Sequence, residues 1–237
     1  MGLRPDALRK IPLFSRLNNS LLGRIGGVST IIAVPAGEIL VNRGEVADNL
    51  SFLLEGRVTL LGAAIDGSSA VVDVLQPVSG VAIATVLGDL PCPVTAQAVA
   101  ASLLLIVAAA PLRALLSHAP ALTGAVMRDV ASDFGALMRQ VMDLKLRSTP
   151  QRLGCYLLQQ VADSATQRAD FRLPFDKRLL AARLGCRQEN LSRAFATLRD
   201  VGVETRGARV VLHDVAALRD YALPDAPVGA ARQRGSA

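Results

Sequence analysis

The chain has 237 residues, 51% of them hydrophobic, which is enough for one large domain or two ordinary ones with real cores. Its net charge of +6 is confined to residues 147–237, which hold 15 basic and 9 acidic residues, whereas residues 1–146 hold 11 of each. This distribution is expected if only the C-terminal part meets nucleic acid, although charge alone also fits an incidentally basic surface. The polar N-terminus is unlike a signal peptide and the most apolar run, 98–112, is too short to span a bilayer, so we expect a soluble cytoplasmic protein without a membrane segment.

The N-terminal half is predicted to combine short helices with short strands. Apolar spacing favours two short helices within residues 8–26. The β-rich runs that follow are separated by glycine-containing turns, including a hairpin turn at Asp66-Gly67, and lie at 31–34, 38–41, 50–54, 57–61, 70–75 and 95–107. Short strands at such regular spacing are typical of a barrel or jelly roll.

A long helix is predicted at residues 111–147. Its apolar residues recur with alternating steps of four and three, the spacing of a coiled-coil seam: Val130, Phe134, Leu137, Val141 and Leu144. This pattern predicts that two copies of the chain pack side by side. The alternative is a helix that lies on its own barrel.

The region after this helix contains helix-capping signals. Thr149 is predicted to cap a helix at 151–161, with Pro150 in its first turn. A polar loop is expected at 163–170, and Asp176 is expected to cap the next helix.

Residues 179–198 predict a helix-turn-helix, which is the most informative pattern in the chain. A turn at Gly185 separates two short apolar-patterned helices, and the small Ala181 allows them to approach closely. The shared core is expected to contain Leu180, Leu184, Cys186, Leu191 and Ala194. The second helix is predicted to begin near Arg187 and to expose Gln188, Glu189, Ser192 and Arg193. These side-chain types can contact base edges in the DNA major groove.

A small β-wing and one more helix complete the predicted DNA-binding part. Residues 203–204 and 209–212 flank Arg206-Gly207 as a hairpin would, and Asp214 is expected to cap a helix that ends at Tyr221. Cationic side chains around the motif are candidates for DNA phosphate contacts: Lys177, Arg178, Arg187, Arg199, Arg206 and Arg209. The Pro-, Gly- and Arg-rich residues 224–237 are predicted to be disordered.

The cysteine and histidine content provides no metal or catalytic motif. The three cysteines are isolated in sequence, which excludes a zinc or iron–sulfur motif. Cys155 and Cys186 are expected to be buried, whereas Cys92 lies in a Pro-Cys-Pro corner where it could be exposed. With two distant histidines, no nucleophile elbow and no P-loop, we expect no enzyme.

Taken together, a glycine-punctuated barrel, a dimer helix and a winged helix-turn-helix resemble the Crp/Fnr family of bacterial transcription regulators. The resemblance extends over residues 11–221 and is strongest in the segment LPFDKRLLAARLGCRQENLSRAFATLRDVGV. It implies an α+β fold with a cyclic-nucleotide-binding-like β-roll at 1–118, a dimerisation helix at 119–147, a winged helix-turn-helix at 148–223 and a tail at 224–237. It also implies a homodimer that binds pseudo-palindromic double-stranded DNA and recruits or obstructs RNA polymerase.

The resemblance assigns base-contacting roles within the second helix. Glu189, Ser192 and Arg193 form the E-x-x-S-R pattern of the Fnr-like branch, which implies half-sites that begin with TTG. Gln188 occupies the position where the Crp branch has an arginine, which argues against a plain Crp site.

The sensor site departs from the cyclic-nucleotide-binding relatives. Gly80 is followed by Val81 instead of glutamate, and the facing segment 91–96 lacks an arginine. Because a buried phosphate needs a cationic partner, we do not expect cAMP. The candidate effector residues are mostly apolar and could line an apolar cavity or fill the core: Gly80, Val81, Ile83, Val94 and Thr95.

Haem is an alternative effector group. Residues 92–98 are similar to a run found in relatives associated with nitric oxide sensing through haem. The candidate axial ligands are His118, Cys92 and Met127, because His213 is far along the chain in the wing. Two further alternatives are an unliganded, constitutively competent dimer and a ligand-binding module that has lost DNA binding.

Overall fold

The computed structural model describes residues 3–63, 69–161, 166–174 and 176–223. The chain divides into two compact units, Met1–Arg139 and Gln140–Ala237, and each is described by itself. Our predictions of a hairpin turn at Asp66-Gly67 and of disorder at 224–237 lie outside the described residues.

Short helices precede the β-structure, as predicted. They are α1 (Pro5–Leu8), a 3-10 helix (Pro12–Phe14) and α2 (Asn19–Gly27). Asn18 caps α2 by accepting a hydrogen bond of 2.9 Å from the Leu21 backbone N–H. Phe14, Leu22 and Ile25 are fully buried, which anchors these helices to the core of the first unit.

The strands form two four-stranded antiparallel sheets, ordered β1-β8-β3-β6 and β2-β7-β4-β5. Their bounds are Ser29–Val34 (β1), Ile39–Val41 (β2), Asn49–Glu55 (β3), Val58–Ala63 (β4), Ser69–Leu75 (β5), Ser79–Val81 (β6), Thr95–Ala98 (β7) and Ser102–Ala108 (β8). Phe52 on β3 packs edge-to-face on Phe14, with ring centroids 5.1 Å apart. The predicted β-roll is therefore confirmed.

The final predicted β run, 95–107, is divided between the two sheets. β7 pairs with β2 and β4, whereas β8 pairs with β1 and β3, so the chain changes sheet at 99–101. Gly56 adopts a positive φ of +94° at this corner, where a Cβ would lie 2.7 Å from Ser102 Cα. Our prediction of a single closing run was wrong because it ignored this change of sheet.

Two elements of the first unit were not predicted from the sequence. Strand β6 (Ser79–Val81) pairs with β3, and helix α3 (Ile83–Leu87) follows it. Both are too short to produce a recognisable periodicity. Arg113 holds the end of α3 by donating to the Val86 carbonyl at 2.8 Å and pairing with Asp89 at 3.0 Å.

The predicted long helix is two helices, α4 (Ala109–Leu116) and α5 (Pro120–Leu146). Our prediction of one continuous helix was wrong at residues 117–119. Pro120 lacks an N–H and disfavours helical backbone in the residue before it, so a new helix begins there. The Thr123 hydroxyl donates to the Leu116 carbonyl at 2.7 Å, which satisfies one acceptor at the end of α4.

The second unit contains α6 (Thr149–Gln159), β9 (Ala169–Arg172), α7 (Lys177–Arg183), α8 (Gln188–Arg199), β10 (Val203–Arg206), β11 (Arg209–Leu212) and α9 (Val215–Ala222). The strands form a three-stranded antiparallel sheet ordered β10-β11-β9. The predicted wing hairpin and the caps at Asp176 and Asp214 are confirmed. Asp170, predicted to end a polar loop, instead lies in β9.

The cap of α6 is Ser148, and our assignment of Thr149 was wrong. Ser148 and Gln151 form a capping box, in which the Ser148 N–H donates to Gln151 Oε1 at 3.0 Å. Thr149 is the first helical residue, with Pro150 next to it. The reciprocal pairing with Gln151 requires a spacing of three residues, which Ser148 has and Thr149 lacks.

Helices α6 and α9 pack closely at Gly154, and this contact leads to a prediction of stability. A Cβ on Gly154 would lie 2.9 Å from Ala222 Cβ and 3.3 Å from Leu218 Cδ1. We expect Gly154→Ala to destabilise this unit because overpacking costs about 1–3 kcal/mol, which exceeds the gain of about 1 kcal/mol in helix propensity. Both tyrosines of the chain, Tyr156 and Tyr221, lie in this unit, so urea unfolding followed by tyrosine fluorescence reports on it.

The matched control is the double variant Gly154→Ala/Ala222→Gly, which removes the methyl group that the new Cβ would meet. It should recover part of the lost stability. An unchanged urea midpoint for Gly154→Ala would contradict the close packing of α6 and α9.

Candidate nucleic-acid interface

The turn between α7 and α8 is built around Gly185. Gly185 has φ +63°, which an L-residue with a side chain seldom adopts. Its N–H donates to the Ala182 carbonyl at 3.0 Å, and the Cys186 N–H donates to the Ala181 carbonyl at 2.9 Å. These two hydrogen bonds form a Schellman motif, which ends α7 and sets the direction in which α8 departs.

The two helices share the predicted small core. Leu180, Leu191 and Ala194 are at most 1% exposed, and Ala181 is 2% exposed where the helices approach. Cys186 is only half-buried, so our prediction of a fully buried thiol was wrong there. Its position after Gly185 places it at the surface end of the turn, and burial raises the pKa of its thiol despite the nearby charge of Arg152.

The predicted base-contacting residues occupy the exposed side of α8. Gln188, Glu189, Ser192 and Arg193 are all exposed, while Leu191, Ala194, Phe195 and Leu198 of the same helix are buried. Gln188 and Ser192, and likewise Glu189 and Arg193, are four residues apart and therefore share one face. A groove of about 490 Å³ begins at this face and is lined by Arg178, Cys186, Arg187, Gln188 and Glu189, among others.

The N-terminus of α8 is electropositive in its own right. Arg187 is its N-cap residue, and its guanidinium, which has only donors, cannot accept a hydrogen bond from the first backbone N–H groups. The first backbone N–H groups and the helix dipole therefore point toward the groove together with the Arg187 guanidinium. This arrangement suits a DNA phosphate.

The candidate phosphate-contacting residues fall into two groups. Lys177, Arg178, Arg187 and Arg199 are exposed around the helix-turn-helix, and Lys177 Nζ lies 5.5 Å from the centre of the Phe195 ring. Arg206 and Arg209, in the wing, are engaged by acidic residues of the same sheet. The sequence did not predict these pairings.

The wing contains a connected set of charged side chains. Arg206 Nε donates to Glu204 Oε1 at 2.8 Å, and Glu204 Oε2 lies 3.1 Å from His213 Nε2. Arg209 Nε donates to Asp170 Oδ1 at 2.8 Å. The hydrogen bonds from His213 and Arg206 lower the pKa of Glu204, and the hydrogen bond from Arg209 lowers the pKa of Asp170.

Asp170, Arg172 and Glu204 also belong to this surface and were not predicted from the sequence. The segment Ala169–Arg172 alternates small or apolar residues with charged ones, which is the period-two signal of a strand. The surrounding polar residues obscured this signal.

In the first unit, the residues proposed as an effector site contribute largely to the core. Val81 and Ile83 are 2% and 5% exposed. A Cβ on Gly80 would overlap Ile83 Cδ1 and lie 3.3 Å from Phe52 Cε1, so the Ile83 side chain fills the space beside Gly80. Val94 and Thr95 are half-buried, and Thr95 Oγ1 accepts a hydrogen bond from the Arg43 N–H at 3.1 Å. Of the alternatives considered, the described structure corresponds to the filled core.

The candidate haem ligands do not share one buried environment. His118 is exposed and Met127 is 64% exposed, whereas Cys92 is 1% exposed, with its sulfur 3.5 Å from Thr85 Oγ1. Cys92, which the sequence left open to exposure, is therefore buried, and its backbone is held by hydrogen bonds from the Gly44 N–H to the Cys92 carbonyl at 2.7 Å and from the Cys92 N–H to the Glu45 carbonyl at 2.8 Å. The three candidates therefore do not lie together in one pocket, and the haem hypothesis stays a prediction. No cluster of metal-ligating side chains occurs among the described residues.

The seam residues of α5 lie mostly at the surface. Phe134 is 65% exposed, Leu137 53%, Val141 43% and Leu144 46%, while Val130 is half-buried. Met127, one seam step before Val130, continues this exposed apolar stripe. Among the described residues, no helix is both long and apolar enough to cross a membrane.

An N-terminal β-roll, a long helix and a winged helix-turn-helix define a transcription regulator with a DNA-binding C-terminal domain. Residues 31–119 match the family model for the cyclic nucleotide-binding domain, and residues 151–221 match the Crp-like helix-turn-helix domain. The two domains in this order indicate a regulator of the Crp/Fnr family, which is regulatory and not enzymatic.

Solved structures similar to the chain include two proteins of 28% and 27% identity. One, from Ruegeria pomeroyi, is provisionally named a cyclic nucleotide binding protein; the match has a TM-score of 0.61 and covers 94% of this chain and 98% of that one. The other, from Silicibacter pomeroyi, is provisionally named a cAMP-binding regulatory protein and has a TM-score of 0.61, with coverages of 93% and 99%. FixK2 from Bradyrhizobium japonicum shares the fold, with a TM-score of 0.69, 17% identity and coverages of 84% and 100%. A search of curated proteins found no match.

The unequal burial of the three thiols leads to a labelling prediction. In the native protein, only Cys186 should react with iodoacetamide, because Cys92 and Cys155 are 1% and 7% exposed. The reaction should be slow at neutral pH and accelerate at alkaline pH, since burial raises the pKa of the Cys186 thiol and the thiolate is the nucleophile.

Mass spectrometry of tryptic peptides would identify the labelled residue. Cys186→Ser should abolish native labelling and leave two reactive thiols in urea. Rapid labelling of Cys92 in the folded protein would contradict its burial.

Proposed function

We propose that this protein is a homodimeric transcription regulator that binds a TTG-type palindrome through α8. The observation that carries the proposal is the exposed face of α8, which presents Glu189, Ser192 and Arg193 beside a groove at its electropositive N-terminus. Arg is suited to guanine, Glu to the cytosine amino group and Ser to several base edges. In a bacterial cell such a regulator works in the cytoplasm, where it recruits or obstructs RNA polymerase.

The positions of the other candidate residues indicate which of them contact bases and which contact phosphates. Gln188 is close enough to assist base contacts from the first turn of α8. The exposed cations around the motif, Lys177, Arg178, Arg187 and Arg199, contact phosphates and so position the helix without selecting a sequence.

The test of this proposal is a gel-shift experiment with Arg193→Ala. Loss of one bidentate base contact costs about 1–3 kcal/mol of discrimination, so preference for a TTG palindrome over a scrambled duplex should fall by roughly tenfold or more. The far-ultraviolet circular dichroism spectrum should stay unchanged, because Arg193 is exposed and its side chain supports no packing.

Arg24→Ala, on the exposed side of α2 in the other unit, is the matched control for loss of one positive charge. It should leave the preference intact. Equal operator affinity for wild type and Arg193→Ala would remove Arg193 from the base-contacting set.

Homodimerisation is supported by the exposed stripe on α5. Large apolar side chains at heptad spacing are left uncovered by the chain's own residues, and a parallel second copy of α5 would bury them. Two-fold symmetry would also place two copies of α8 on the two half-sites of a palindrome.

The dimer is tested by Phe134→Asp, which places a carboxylate within the apolar stripe. Sedimentation equilibrium should show a shift from dimer to monomer, since an unpaired charge in a helix–helix interface carries a large desolvation cost. Ala136→Asp, an exposed position on another side of α5, is the control and should remain dimeric. A Phe134→Asp protein that sediments as wild type would contradict the seam.

The effector is proposed to be something other than cAMP, although names of similar proteins refer to cyclic nucleotides. Gly80 is followed by the buried Val81, and no arginine occurs in residues 91–96 to neutralise a phosphate. The side chain of Ile83 occupies the space that Gly80 leaves open. Haem is disfavoured because its candidate ligands, His118, Cys92 and Met127, do not share one buried environment.

A further inference from the structure

The wing sheet places three arginines side by side on one face. In the strand register, Arg172 of β9 is opposite Arg209 of β11, which is in turn opposite Arg206 of β10. We call Arg172, Arg206 and Arg209 the arginine row. All three side chains are exposed, whereas Val210 and Leu212 point into the core from the opposite face of β11.

Like charges directly opposite one another destabilise a sheet, so the arginine row has an energetic cost. Two residues further along the strands, the second row contains Asp170, Val211 and Glu204 in register. The two carboxylates reach the arginine row, Asp170 diagonally across to Arg209 on the neighbouring strand and Glu204 along its own strand to Arg206. Arg172 has no acidic partner among the described residues.

We propose that the arginine row is a binding site for the phosphodiester backbone of DNA and that Asp170 and Glu204 limit its strength by competing with phosphate. Each carboxylate occupies the donors that a phosphate oxygen would use. Asp170 accepts from Arg209 Nε with both oxygens, at 2.8 and 3.1 Å. This inference rests on the proposed DNA-binding function.

A polymer of phosphates suits this surface better than a small anion does. The row borders an open groove of about 460 Å³ whose lining includes Asp170, Arg172, Arg206 and Arg209. The Arg206 and Arg209 side chains are 78% and 60% exposed, so they cannot shield a small anion from water. DNA gains affinity at an exposed cationic surface by releasing counterions, which does not require burial. In addition, β10 contacts α8, so the sheet that carries the row is packed on the same helix that presents Glu189, Ser192 and Arg193.

The carboxylates reduce the effective charge of this surface. The three arginines and two carboxylates sum to a charge of +1, and replacement of both carboxylates by amides would raise it to +3. Arg172 contributes its full charge in the wild type, whereas Arg206 and Arg209 must exchange an intramolecular partner for a phosphate. Asp170 and Glu204 thus compete with phosphate and weaken sequence-independent binding. Base contacts on α8 then account for a larger share of the total affinity.

The experiment measures DNA affinity by fluorescence anisotropy as a function of KCl concentration. It uses the full chain as wild type, Asp170→Asn, Glu204→Gln and the double variant, with a TTG-palindromic duplex and a scrambled duplex. Each single variant should bind both duplexes about two- to fivefold more tightly at low salt, the range expected for loss of a competing surface ion pair. The slope of log K against log[KCl] should steepen by up to about 0.9 per released arginine.

Two further variants serve as a charge control and as a test of Arg172. Asp220→Asn makes the same charge change on the exposed side of α9, where Asp220 has no ion-pair partner among the described residues, and it should leave the slope as in the wild type. Arg172→Ala should flatten the slope by up to about 0.9. Tyrosine fluorescence and circular dichroism verify that each variant is folded, and Glu204→Gln provides a second variant at an independent pair.

Equal salt slopes for Asp170→Asn and Asp220→Asn would overturn the inference, because the carboxylates would then be merely solvated. Weaker binding by Asp170→Asn would also overturn it, because Asp170 would then orient Arg209 toward DNA instead of competing for it. Failure of the proposed function is distinguishable from both outcomes, because the wild-type protein itself would then not distinguish the palindrome from the scrambled duplex.

Discussion

The orientation of α8 depends on the left-handed backbone of Gly185. The two hydrogen bonds of the Schellman motif end α7 at this residue, and the buried Ala181 lets α8 cross close to it. A side chain at Gly185 would be strained at φ +63° and its Cβ would lie 2.7 Å from Leu144 Cδ2. The same glycine therefore sets the turn and leaves room for the end of α5.

The end of α5 is joined to the DNA-binding unit by polar contacts as well. Arg147, whose side chain is 11% exposed, pairs with Asp143 one turn earlier and donates to the Leu223 carbonyl at 2.8 Å. Leu144, a seam residue, contacts the turn before α8. Leu144, which is proposed to face a second copy of the chain, is thus in contact with the turn that orients α8. Leu144 would therefore contribute both to the proposed contact between two copies of the chain and to the packing that orients α8.

The net charge of the C-terminal unit and the pairing of its individual charged side chains give different information. The excess of arginine over acidic residues after residue 146 is visible in the sequence and favours a polyanionic partner. Among the described residues, the structure distinguishes the exposed cations Lys177, Arg178, Arg187 and Arg199 around the helix-turn-helix from Arg206 and Arg209 of the wing, which Glu204 and Asp170 engage. Net charge therefore overstates the positive charge that the wing presents at its surface.

The order of domains, the helix-turn-helix, the wing and the exposed face of α8 could all be predicted from the sequence, because each depends on local signals: a glycine turn, cap residues and hydrophobic periodicity. The exposed seam spacing of α5 follows from the same periodicity. The sequence alone could not determine that Ile83 fills the space beside Gly80, that Cys92 is buried or that Asp170 pairs with Arg209 39 positions away. These features depend on strand register and on which side chains reach the same space, and both are decided only when segments distant in sequence pack together.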